Sequence, residues 1–320
     1  MTVTIGPSSS SSPSPSPSTT EPGASRPKRG ATASRDGTGP VRHSRRTKAL
    51  VLGGVVFFTL YSLAPVWWLI VSATKNQSDL YTTNGLWFSD LHFTDNLKAL
   101  FTYQDGIFLK WLWNTLYYGV VGTAGMTLVC VACGYGLAMY QFRGRGVLMG
   151  CIIGSFLVPH ALLTIPSFLL FTDLRMVDTP SAIIVPSLFN AFSVYLAKVY
   201  AEGAIPPELL EAARIDGAGE YRIFFTVGAR LMSTGAATIF LLGFVGSWNS
   251  FFGPLVFLRT PEKWTVMVGL YSWLKVKVDT SADLTGMVVV GSLLSLIPMV
   301  ILMISMQRFW RSGVTLGSIK

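Results

Sequence analysis

Ile205-Pro206-Pro207-Glu208-Leu209-Leu210-Glu211-Ala212-Ala213-Arg214-Ile215-Asp216-Gly217-Ala218-Gly219-Glu220-Tyr221-Arg222-Ile223-Phe224-Phe225 stands between two long apolar runs. Its acidic and basic side chains follow one another too closely to lie in hydrocarbon, where each ionised group at mid-helix costs about 2.5–3.5 kcal/mol on insertion scales. The runs on either side, 180–202 and 232–257, each have the roughly 20 residues a helix needs to cross a bilayer. The stretch therefore reads as an aqueous, cytoplasmic connection between two membrane spans.

Within it, Pro207 suits a first helical position and Glu208 and Glu211 suit the positive end of the helix dipole. Gly217 can end the helix in a left-handed conformation. A short helix, a glycine turn and a second short helix are predicted. On the first helix Leu209, Ala212, Ala213 and Asp216 fall at i, i+3, i+4 and i+7, so they share one face that the alanines keep shallow. Glu211 lies beside that face, where it is open to a partner or to neutralisation by Arg214 three residues on. Spacing alone leaves a docking surface and a simple surface hairpin both open.

The same apolar pattern extends outward over most of the chain. Of 320 residues, 50% are hydrophobic and only 13% are charged, too apolar a balance for a soluble domain of this length. Spanning helices are predicted at 49–73, 113–140, 147–171, 180–202, 232–257 and 284–307. The fold class is an all-α membrane bundle. Gly119, Gly122, Gly125, Gly134 and Gly136 allow close helix approach. Pro65, Pro159, Pro166, Pro186 and Pro298 each remove a backbone hydrogen bond and are expected to bend their spans. Those bends fit a bundle that changes shape or lines a path, and equally one with inherited packing geometry.

The first residues, 1–48, are rich in Ser, Pro and Arg and poor in large apolar side chains, so they read as a separate disordered cytoplasmic tail that cannot bury a core. The apolar run that begins near Ala49 has spanning length and reads as a retained first span, not a cleaved signal. Basic residues concentrate in that tail, at Arg143 and Arg145, and around the charged stretch, which places both termini inside. Two longer connections, about 74–111 and 258–283, then lie outside and carry Trp87, Phe88, Trp264 and Trp273, suited to interface anchoring or to docking an external protein.

The net charge of +9 does not form a basic stripe with interleaved aromatics, so nucleic acid is not an expected partner. Cys130 and Cys133 have redox spacing but lack polar neighbours in sequence, and with Cys151 they read as packing residues. His43, His92 and His160 are scattered, with no triad or metal set and no phosphate-binding Gly-rich loop, so neither catalysis nor ATP binding is expected of this chain. A secondary transporter would need ionisable groups at membrane depth, and the spans have almost none. Asn114, Asn190, Trp248 and Asn249, with Ser193, are the polar or amphipathic candidates for a translocation path, against the plainer role of helix packing.

The segment Glu211-Ala212-Ala213-Arg214-Ile215-Asp216-Gly217-Ala218-Gly219-Glu220 resembles the EAA loop of permease subunits of binding-protein-dependent ABC importers, in the form found in the carbohydrate-uptake branch. The likeness continues through Asn114-Thr115-Leu116, Pro159, Pro166, Ser247-Trp248-Asn249, Pro254, Gln307-Arg308-Phe309 and Gly313 to Lys320. It implies a six-helix type I ABC importer transmembrane domain over 49–320, with a coupling loop at 203–228. It further implies that Glu211 supplies a polar contact to an ATPase, that Ala212 and Ala213, beside Asp216, give the close fit, and that Gly217 makes the turn. The implied partners are a homologous second permease, a pair of ATP-binding subunits that hold the ATP, an extracytoplasmic solute-binding protein and membrane lipid. The implied cargo is a sugar or oligosaccharide.

This sequence departs from the family pattern at three places. Ala229-Arg230 and Thr234 stand where prolines are usual, which leads one to expect a weaker bend into the fifth span. Ser250 stands where an acidic residue usually follows Trp-Asn.

Overall fold

The computed structural model describes residues 45–280 and 283–316, so nearly all of the expected tail and the last residues of the carboxyl-terminal motif lie outside the described residues. The described chain is helical, without strands. Helix α1 (Arg45–Ala73) leads through α2 (Asp79–Thr82) and α3 (Phe93–Thr102) into the long α4 (Ile107–Met139). Next come α5 (Arg145–Ser155), α6 (His160–Asp173), α7 (Ser181–Ser187) and α8 (Ala191–Ala204). The charged stretch forms α9 (Pro207–Ile215) and α10 (Glu220–Ile223), then a π-helical turn (Phe224–Gly228) and α11 (Ala229–Leu231). It feeds α12 (Ser233–Trp248) and α13 (Phe252–Phe257), and the chain closes with α14 (Val266–Thr280) and α15 (Thr285–Leu316).

Helices α1, α4 and α15 are each long and apolar enough to cross a membrane unbroken. Two bent pairs reach spanning length and hydropathy only together: α7 with α8 turns by 41°, and the α10–α11 run, which begins in the charged stretch, meets α12 at 75°. The expected third span at 147–171 is divided into α5 and α6, each below spanning length, because Pro159 caps α6 in an extended conformation. Prolines do not always break the helix, however. Pro65, Pro166 and Pro298 sit inside the unbroken helices α1, α6 and α15.

The entry into the fifth span is sharply bent although Ala229-Arg230 and Thr234 stand where prolines are usual. The chain turns by 75° at Met232 without proline. Met232 is buried, and Gly228 lets the π-turn close on the ring of Tyr135, where an added Cβ would meet Cε2 at 2.8 Å. Packing against α4, rather than a missing N–H, sets the direction.

Helix α4 is the central element and packs most extensively against α8 and α12. At Gly134 a Cβ would lie 2.4 Å from the Ala197 Cβ and 2.7 Å from its backbone carbon, so only glycine permits this approach. Gly136, grouped with it in sequence, faces open space. One apolar cluster joins Cys130, Val131 and Tyr135 of α4 to Val194 and Ala197 of α8 and to Leu210, Ile223 and Met232. A second, toward the start of α4, joins Phe108 and Trp111 to Leu100 of α3, Val266 and Trp273 of α14, and Val290 of α15.

That second cluster corrects the two expected loops. Most of 93–111 and 266–280 is helical, and Trp273, expected to anchor at an interface or dock an external protein, is buried. Charged residues such as Asp95, Lys98 and Lys275 break the apolar runs without breaking the helices, since they sit on one side of an amphipathic element.

Candidate coupling surface and cavity

The α9 turn is built from backbone geometry. Pro207 occupies the first turn, and Asp216 ends the helix. Gly217 follows at φ +78°, donating its N–H to Arg214 O at 3.0 Å while Ala218 N donates to Ala213 O at 3.0 Å. This pair of bonds satisfies carbonyls that the helix end would otherwise orphan, and it requires the left-handed residue that glycine supplies at least cost.

Leu210 is buried against the first cluster and Ala213 is half-buried there, so Ala213 turns partly inward and not onto the open face expected from its spacing. The open face carries Glu208, Leu209, Glu211, Ala212, Ile215 and Asp216. Its apolar exposure is high: Ile215 and, on α10, Tyr221 are each 87% exposed.

Arg214 does not neutralise Glu211. Its Nε donates to Glu220 Oε1 at 2.7 Å, and the Tyr140 hydroxyl at the end of α4 donates to Glu220 Oε2. The Arg214 hydrogen bond, then that from Tyr140, holds the Glu220 carboxyl below its ordinary range. Burial, then the bond to Glu220, pushes the Tyr140 phenol up. Glu220 thus ties α9, α10 and α4 together, a role sequence spacing did not suggest because Tyr140 lies eighty residues away. Among the described residues the Glu211 carboxylate has no ion pair.

A cavity of about 330 Å³ lies between α4, α7–α8 and α12–α13. Asn190 and Ser193 line it, with Thr115, Tyr118, Ser247, Ser250 and Thr265. The other path candidates do not. Asn114 donates to the carbonyls of Glu262 and Trp264 at 2.7 and 3.1 Å, tying α4 to the chain before α14. Trp248 is buried and stacks on Phe244, 5.5 Å between ring centres. Asn249 donates back to Val245 O at 2.8 Å.

At the end of α7 remote from α9, Asp178 was missed by sequence reasoning. Its Oδ1 accepts from the N–H groups of Arg259 and Thr260, and its Oδ2 from the Thr260 hydroxyl and from Lys263 Nζ at 2.8 Å. Burial opposes ionisation here, but the Lys263 and Thr260 hydrogen bonds outweigh it and hold the carboxyl well below the usual range. His92 lies 3.5 Å from Asp95, whereas His43 and the His160 side chain lie outside the described residues.

A family described as the binding-protein-dependent transport system inner membrane component matches residues 129–312. This chain belongs to that family. As an ABC importer permease it has similar relatives over nearly its whole length. The arabinooligosaccharides transport system permease protein AraQ of Bacillus subtilis is 30% identical over 285 residues, 88% of this chain and 99% of the relative. The lactose transport system permease protein LacG of Rhizobium radiobacter is 29% identical, over 84% of this chain and 97% of that one. A chain of a crystal structure of a bacterial ABC transporter involved in import of the acidic polysaccharide alginate superposes with a TM-score of 0.71 at 26% identity. That match covers 83% of this permease and 98% of the other chain. The permease is thus a type I ABC importer membrane domain and a multi-pass protein of the inner membrane.

Proposed function

We propose that this permease carries a sugar or oligosaccharide into the cell by alternating access, driven by ATP hydrolysis on separate subunits that grip α9. The observation that carries the coupling assignment is the open face of α9–α10. A short helix pair with a capped turn exposes Leu209, Ile215 and Tyr221 beside the unpaired Glu211, a combination that leaves apolar area for another protein to cover. The relatives named for arabinooligosaccharides and lactose support a saccharide cargo. In this arrangement Glu211 makes the polar contact, Ala212 and Asp216 flank it, Ala213 seats the helix on the bundle, and Gly217 sets the turn. Both termini and α9 face the cytoplasm, and the Asp178 end faces outward, as the distribution of Lys and Arg supports. A homologous second permease and an external solute-binding protein complete the assembly.

Motion of the ATPase pair would displace α9, and through Glu220 and Met232 tilt α4 and α12 between inward- and outward-open states. Glu211→Ala and Gly217→Pro are each expected to leave the assembled transporter in the membrane but to separate ATP hydrolysis from uptake in reconstituted vesicles. Normal uptake by both variants overturns the coupling assignment.

A further inference from the structure

The connection from α1 to α3 folds back against the end of its own span. Trp67 lies six residues before Ala73, the last residue of α1, which is roughly 9 Å along the helix axis. Its Nε1 donates to Leu86 O at 3.1 Å. The Phe88 ring meets the Trp67 ring edge-on, 5.6 Å between centres, and a Cβ on Gly85 would touch Trp68 Nε1 at 3.4 Å. The tip of this loop, residues 84–88, therefore hangs beside the apolar flank of α1 and not beyond its end.

The tip turns its own polar groups inward. Lys75, only 1% exposed, donates Nζ to Asn84 O at 2.6 Å and to Thr83 Oγ1 at 2.9 Å. Asn84 Oδ1 accepts from Leu86 N at 2.9 Å, Trp87 N donates to Asn84 O at 3.3 Å, and Trp67 occupies the Leu86 carbonyl. The side chains turned outward are Leu86, Trp87 and Phe88, exposed by 59%, 68% and 39%. No Asp, Glu, Lys or Arg occurs from Leu80 to Ser89.

Left in water, these three side chains forgo about 25 cal/mol for each Å² of apolar surface that lipid would cover. The bilayer interface accepts a backbone whose polar groups are already paired, and it favours indole rings with one apolar and one polar edge. α1 has the length and hydropathy of a membrane span, so a tip lying nearly two turns below its end sits at the boundary between headgroups and acyl chains. A soluble external protein approaches from beyond the helix ends and does not reach that depth; phospholipid does.

We propose that the 84–88 tip is an interfacial anchor for phospholipid, with Trp87 at headgroup level between Leu86 and Phe88, and Trp67 as the pin that holds the tip at this depth. The orientation given above places the contact in the outer leaflet, but the lipid contact itself does not depend on that orientation.

The test uses the complete transporter in native membranes, with Trp87→p-benzoylphenylalanine as a photoreactive probe and Glu262→p-benzoylphenylalanine as an exposed reference. After irradiation, the probe at 87 is expected to give a permease whose mass rises by one phospholipid, and the probe at 262 is not. A cross-link from 87 to the second permease or to the solute-binding protein overturns the anchor, as does a probe at 87 that forms no adduct. Equal phospholipid yields at 87 and 262 also overturn it, by showing contact without selection for the tip. Trp67→Phe keeps a ring against Phe88 but removes the donor to Leu86 O. Combined with the probe at 87, it is expected to lose most of the phospholipid adduct; an undiminished yield overturns the role given to Trp67.

Discussion

Asp178 sits at φ +60°, a backbone conformation unfavourable for a residue with a side chain, and yet gathers hydrogen bonds from three residues of a distant segment. Its ionised form is the one bound, so the sign of its pH dependence is fixed. A carboxyl whose folded pKa is depressed contributes stability that is fully present above its unfolded value of about 3.9 and is lost as pH falls through the folded one. Asp178→Asn is expected to lower the thermal midpoint of the purified transporter, corresponding to about 1–2 kcal/mol for the weakened charged hydrogen bonds. The deficit is expected to stay constant from about pH 8 to about pH 5 and to shrink only in stronger acid, as thermal unfolding followed across pH would reveal. Asp178 was illegible in sequence because no periodicity links it to Lys263, whereas Gly217 was legible because its requirement is local. Glu220 falls between these cases: its pairing with Arg214 is within reach of one turn pair, but Tyr140 is not.

At the scale of helices, the α4–α8 contact carries the bundle. Between membrane helices close packing, not the exclusion of water, supplies the attraction. Gly134→Val is expected to cost about 1–3 kcal/mol or more by overpacking, seen as loss of monodisperse transporter after detergent extraction. Adding Ala197→Gly is expected to restore little, because the new side chain would also meet the Ala197 backbone carbon at 2.7 Å and the Lys198 nitrogen at 2.7 Å, which no substitution removes. Recovery to wild-type yield by the double variant would contradict this. Apolar runs announced α1, α4 and α15 well, since length and hydropathy suffice for an unbroken span. They failed for α14 and α3, where Trp273 and Leu100 are buried against neighbours that only the tertiary structure supplies. The bend at Met232 was not legible for a related reason: with no proline to mark it, its geometry comes from the π-turn seated on Tyr135.

For the whole molecule the proposed orientation makes a sharp distinction between the two ends. A cysteine placed at Arg143, exposed in the turn between α4 and α5, is expected to resist a membrane-impermeant maleimide in intact cells and to react in inverted vesicles. A cysteine at Glu262, exposed near the opposite end, is expected to behave in the reverse way. Labelling of both from the same side would refute the topology. The overall class was legible because charge is so costly in lipid that the stretch from Ile205 to Phe225 could only be a connection. The cavity was not, since Asn190 and Ser193 are close in sequence but Thr265 and Ser250 reach the same wall from other elements.

The Asp178 junction also bears on how permeases of this kind can be recombined. Its donors lie on 259–263 and its acceptor on the turn before α7, so two segments far apart in the chain form a single exchangeable cassette. A chimaera that imports only one of them from a differing relative strands a carboxylate or an ammonium at the rim of the bundle. Loop swaps at this end of the bundle are expected to succeed only when both halves travel together.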